Sequence, residues 1–135
     1  LTVTGNINAL KQAGTLLYQS ANTQRTRQTA SYGLKKAITV YIPGTYTVKF
    51  DLKTEFGTGD VAYGKIYVND VAAGTERTNN TTTYETFSEN VTVSSVGDVI
   101  QLYIRSDAAH EADNAYCRNF QLYVSSYDSS TVTTD

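Results

Sequence analysis

The chain reads as an all-β protein, an antiparallel β-sandwich preceded by an extended N-terminal arm. Two observations predict this. From Ala37 to Val124 short runs of alternating apolar and polar residues recur, each closed by glycine, proline, asparagine or aspartate, with no helical interlude. The composition fits the pattern, since threonine and serine abound and tyrosine, at 11 of 135 residues, dominates the aromatics while tryptophan and methionine are absent.

Each element follows from its own alternation. Ile38, Val40 and Ile42 share one face before Pro43-Gly44 turns the chain. Tyr46, Val48, Phe50 and Leu52 then point inward, with Thr45, Thr47, Lys49 and Asp51 outside. Phe56-Gly57-Thr58-Gly59-Asp60 breaks the chain again. Ala62, Gly64, Ile66 and Val68 oppose Tyr63, Lys65 and Tyr67 on the next strand, and Asn69-Asp70 suits a tight hairpin because both residue types tolerate positive φ. Val71 to Thr75 is the expected return strand. After a polar loop, Phe87, Val91 and Val93 mark an inner face, followed by Ile100, Leu102 and Ile104 with Gln101, Tyr103 and Arg105 outside. The last strand, Tyr116 to Val124, is expected to bury Phe120, Leu122 and Val124 and to turn Cys117, Asn119, Gln121 and Tyr123 outward.

The ends are less patterned. Residues 1–30 are expected to be an arm or assembly segment, 31–127 the sandwich and 128–135 a polar tail. Within the arm Leu1, Val3 and Ile7 are the apolar positions of an extended segment, which would gain backbone partners by adding to an open sheet edge. A helical turn over Ala9–Tyr18 is predicted only from a few apolar positions.

Composition excludes several functions. The net charge of -2 gives no footprint for a nucleic-acid backbone, and the one cluster of cations, Arg25, Arg27, Lys35 and Lys36, fits a solvated surface or a subunit contact about as well as a phosphate site. No apolar run is long enough for a membrane-spanning helix. A single cysteine, Cys117, forms neither an internal disulfide nor a zinc site by itself. His110 is the only histidine, and no Gly-x-Ser-x-Gly elbow accompanies it, so the chain reads as no enzyme.

Three binding features remain. Asp107, His110, Glu111, Asp113 and Asn114 gather oxygen ligands of the kind calcium takes, with Asp107, Glu111 and Asp113 as the candidate set, although a solvated acidic turn has the same composition. Tyr63, Tyr67, Tyr103 and Tyr123 point away from the expected core, and form an aromatic surface if their strands share a sheet; burial by a neighbouring subunit is the favoured use, sugar stacking the alternative. Asn79, Asn80 and Asn90 each begin an N-glycosylation sequon. No other cofactor is indicated.

Gly-Thr-Tyr-Thr-Val-Lys-Phe at 44–50, Lys-Ile-Tyr-Val-Asn-Asp at 65–70, Gly-Asp-Val-Ile-Gln-Leu-Tyr-Ile at 97–104 and Asn-Phe-Gln-Leu-Tyr-Val at 119–124 resemble the strand succession of C1q-like trimeric jelly rolls. The opening Leu-Thr-Val-Thr-Gly-Asn-Ile is similar to segments of phage tail-fibre stalks. The resemblance implies a jelly roll packed as a homotrimer on a fibre, and it transfers no ligand site. The chain has no collagen-like Gly-X-Y stalk. The expected function is therefore a noncatalytic structural and adhesive subunit of an extracellular fibre, on a virion tail or as a decoration; a donor-strand cell-surface filament and a carbohydrate-binding module of a secreted protein are the alternatives. Expected partners are further copies of the chain and a cell-surface glycan or receptor.

Overall fold

A computed structural model describes residues 16–57, 59–110 and 112–127. It is a sandwich of two five-stranded antiparallel sheets. The strands are β1 (Leu16–Gln19), β2 (Arg25–Arg27), β3 (Gly33–Val40), β4 (Gly44–Thr54), β5 (Ala62–Val68), β6 (Val71–Ala72), β7 (Arg77–Asn79), β8 (Glu85–Val93), β9 (Asp98–Arg105) and β10 (Ala115–Tyr127). Sheet A runs β1-β10-β4-β8, with β2 also paired to β10. Sheet B runs β3-β9-β5-β6, with β7 also paired to β5. The jelly-roll expectation is met, and no helix among the described residues is long and apolar enough to cross a membrane.

Alternation along the strands builds the core. Tyr46, Val48, Phe50 and Leu52 of β4, with Phe120 and Leu122 of β10, are sealed against Ile66 of β5 and Ile100, Leu102 and Ile104 of β9. Each such side chain contributes about 1.5 to 3 kcal/mol on leaving water. Tyr46 keeps its polar tip satisfied by donating to the carbonyl oxygen of Ile42. Gly64 sits in the inner row of β5, where a Cβ would come within 2.9 Å of the Phe50 ring, so the two sheets close only because that side chain is missing. Asn69 and Asp70 take φ of 50° and 67°, the left-handed pair a two-residue hairpin requires.

In β10 the expected alternation breaks. The pairing with β4 shifts register between Arg118 and Gln121, and Asn119 there has φ of 54°. One extra residue at this bulge reverses the parity of everything before it. Cys117, expected to face outward, is therefore fully buried with Ala115, on the same side as Phe120, Leu122 and Val124.

Other departures are local. Leu16–Gln19 and Arg25–Arg27, within the segment read as an arm, are strands paired to β10, and Leu16 to Tyr18 is strand where a helical turn was expected. The return strand after Asn69-Asp70 is only two residues long, because Ala73 and Gly74 both donate backbone N–H groups to the carbonyl of Ile66 and curl the chain away. Lys36 is not solvated: it is buried, its ammonium donates to the carbonyl of Ala21, and burial holds its pKa below the usual lysine value. Leu1, Val3, Ile7 and the tail from 128 lie outside the described residues.

Candidate functional site

The outer face of sheet B carries the aromatic cluster. Register places Tyr63 of β5 opposite Arg105 of β9, Lys65 opposite Tyr103, and Tyr67 opposite Gln101. Outward parity on two neighbouring strands therefore brings Tyr63, Tyr67 and Tyr103 onto one surface, as the sequence predicts. Tyr123 does not join them; it lies on β10, in the other sheet. A fourth ring arrives instead from Tyr32, which immediately precedes β3.

The rings are held in fixed relation. Tyr67 and Tyr103 stack with centroids 3.8 Å apart and planes 14° from parallel, and Tyr32 packs against Tyr67 at 6.2 Å with a tilt of 58°. The guanidinium of Arg105 covers Tyr63 at 3.6 Å and lies 5.4 Å from the Tyr32 ring. Each aromatic or cation–π contact of this kind contributes on the order of 1 kcal/mol. The cluster is thus ordered before any ligand arrives.

Carboxylates fix the polar tips. Tyr32 donates to Glu76 Oε1 at 2.6 Å, and Arg105 Nη2 donates to the same oxygen at 3.2 Å. Tyr103 donates to Asp70 Oδ1 at 3.0 Å. Buried Gln101 clamps the hairpin from beneath, donating Nε2 to Asp70 Oδ1 at 2.8 Å and accepting the Asp70 backbone N–H at 2.7 Å. The Tyr32 hydrogen bond holds Glu76 below the usual carboxylate range against the opposing effect of burial. Hydrogen bonds from Gln101 and then Tyr103 do the same for Asp70. Burial and these carboxylates push the phenols of Tyr32 and Tyr103 up, so both remain protonated donors beside ionised acceptors. Such a face offers ring surface, hydroxyls and carboxylate lone pairs within one patch.

Sequence reasoning found three of these residues and missed Tyr32, Asp70, Gln101, Glu76 and Arg105. The signal for Arg105 and Gln101 was their outward parity on β9. Nothing in the sequence brings Tyr32 to Glu76, which are 44 residues apart.

The acidic loop is arranged differently. Asp107 Oδ1 accepts the Ala109 N–H at 3.1 Å and starts the short 3-10 turn Ala108–His110, while its Oδ2 lies 3.7 Å from His110 Nδ1. Asn114 is engaged with Glu55 through both its backbone and side-chain nitrogens. Glu111 lies outside the described residues, and among those described no group of three or more His, Cys, Asp or Glu is disposed to hold a metal ion. Of the sequons, Asn80 and Asn90 are exposed. Asn79 is buried, with its amide donating to the carbonyls of Leu52 and Thr83 and accepting from the Thr81 N–H and hydroxyl, so a glycan on Nδ2 would take the place of one of two engaged N–H donors.

Neither a protein-family model nor a curated relative matches the chain in sequence. Solved structures do match in fold. The C-terminal domain of EclA, a sugar-binding protein, superposes with a TM-score of 0.57 at 12% identity over 90% of this chain and 96% of its own. The CBM22-1 xylan-binding domain of Paenibacillus barcinonensis Xyn10C gives 0.51 at 10% identity over 83% and 96%. The tandem CBM22-1-CBM22-2 domain of the same protein gives 0.52 at 13% identity, covering 84% of this chain and 50% of that one. These matches support the jelly roll; they lend nothing to the C1q-like trimer or the tail fibre.

Proposed function

We propose that the chain is a noncatalytic carbohydrate-binding module that takes glycan on the outer face of sheet B. The observation that carries this reading is the pre-built cluster of Tyr32, Tyr63, Tyr67 and Tyr103 with ionised Asp70 and Glu76 at its edge. Sugars present C–H faces and hydroxyls together, and bind where ring surface and acceptors lie side by side. The fold neighbours include proteins described as sugar-binding and xylan-binding, which supports the same choice.

A subunit contact is the competing use of exposed tyrosines. Interface cores are depleted of charged residues, whereas here Lys65, Asp70, Glu76 and Arg105 stand among the rings. That favours a hydrated ligand. A fixed array also loses little conformational freedom on binding. A glycan array followed by calorimetric titration tests the reading: the intact protein should bind a neutral oligosaccharide, and Tyr67→Ser with Tyr103→Ser should abolish that binding while the protein stays folded. Absence of any glycan binding, or equal binding by the double variant, would overturn it.

A further inference from the structure

The opposite face of the sandwich has a different chemistry. On the outward positions of sheet A, register aligns Lys53 with Tyr116, Asp51 with Arg118, Lys49 with Gln121 and Thr47 with Tyr123. Lys49 Nζ lies 4.5 Å from the Tyr123 ring centroid. Lys53 Nζ lies 4.7 Å from that of Tyr84 and 5.2 Å from that of Tyr116. Arg118 covers Tyr84 at 3.9 Å.

The charges do not cancel. Asp51 is the single carboxylate on the outward positions of β4, β8 and β10, and it is used up: Arg118 Nε reaches it at 3.2 Å, Asn119 Nδ2 at 2.7 Å and the Thr86 hydroxyl at 2.6 Å. Lys49 and Lys53 have no carboxylate partner among the described residues and rest on tyrosine rings instead. A chain of net charge -2 thus shows two half-exposed ammonium groups, uncompensated by any carboxylate among the described residues, on one sheet face. Beside them runs a row of cross-strand hydroxyl and amide pairs, Thr45 with Thr92 and Thr47 with Asn90, each at 2.8 Å.

We infer that this face is a second binding surface, and that its ligand is an acidic polysaccharide. Lys49 and Lys53 are four residues apart on one strand face, about 13 Å along the strand. That separation suits repeated anionic groups on an extended polymer better than one small anion. Tyr84, Tyr116 and Tyr123 provide ring surface against the cations, and the hydroxyl row provides donors and acceptors for sugar oxygens. The choice of a saccharide rests on the proposed sugar-binding function; the choice of an anionic one rests on the lysines alone. Carboxylate and sulfate ester are the two anionic groups polysaccharides offer, and the face is complementary to either.

The test is titration of the full chain with polygalacturonate and with dextran sulfate at low salt, against neutral dextran and polyglutamate as controls. Binding to one or both acidic polysaccharides is expected, stronger than to polyglutamate and weakened by added salt. The pair Lys49→Gln and Lys53→Gln should weaken it by about tenfold, the loss of two exposed charge contacts. Lys49→Arg with Lys53→Arg should restore it, and Tyr67→Ser with Tyr103→Ser should leave it unchanged. Polygalacturonate alone would assign carboxylate as the recognised group, dextran sulfate alone the sulfate ester. No binding to either, equal binding to polyglutamate, or an unaltered glutamine variant would overturn the inference. Neutral-glycan binding lost only in the tyrosine variant would still leave the sheet B reading standing.

Discussion

The side-chain amide of Asn79 donates to the carbonyl oxygen of Leu52 at 2.7 Å, tying the end of β7 in sheet B to β4 in sheet A. The same amide also organises the turn through Thr81 and Thr83. Asn79→Ala would leave the buried Leu52 carbonyl of sheet A and the Thr81 and Thr83 groups of the turn without this partner, and the cost should be about 2 kcal/mol. Thermal unfolding measures it. A variant as stable as the parent would mean that water replaces the amide without loss.

Phe120 tests the reading of the last strand. It is fully buried just after the bulge, and truncation to Ala should cost about 3 to 5 kcal/mol. Denaturant titration should show either a large drop in midpoint or no folded baseline. An unchanged midpoint would place the bulge elsewhere.

Gly64→Ala addresses how closely the sheets approach. The added methyl meets the Phe50 ring inside ordinary contact distance, and overpacking of this sort costs about 1 to 3 kcal/mol. Combining it with Phe50→Leu should recover part of the loss. If the two changes simply add, the clash is not the cause.

Asp60 predicts a pH dependence. Its carboxyl is almost wholly buried, Oδ2 has no hydrogen-bond partner among the described residues, and burial raises its pKa, while the Phe56 backbone N–H opposes the rise. The folded chain therefore holds this proton more tightly than the unfolded chain. Its contribution to stability is fully present below the ordinary aspartate value of about 3.9 and is lost as pH rises through the raised one. Asp60→Asn should raise the melting temperature near pH 7 and give no such gain near pH 3. A fall at both would show that the carboxylate itself is needed.

The strand succession was legible because β4, β5 and β9 alternate strictly, with Val48, Phe50, Ile66 and Leu102 all where period two puts them. β1, with Leu16, Leu17 and Tyr18 in succession, and polar β2 carried no such alternation, since each is a strand of only four or three residues. The orientation of Cys117 was unreadable for another reason: one residue at a bulge reverses parity, and the only hint in the sequence was an asparagine at 119, a residue type that tolerates the positive φ it adopts there. The tyrosine face was half legible. Tyr63, Tyr67 and Tyr103 follow from alternation, but which strands adjoin is a property of topology, and so Tyr123 was grouped with rings on the opposite sheet.

The inward turn of Cys117 has a practical consequence. Burial pushes its thiol up to about 12, with the charge of Lys36 opposing, so in the folded protein it is neither ionised nor reachable. As the chain's sole cysteine, it can be modified only when β10 leaves the sandwich. The rate at which a thiol reagent labels it then acts as a clock for opening, with no engineered probe. A ligand that binds only the closed sandwich would slow that clock, whichever face it occupies.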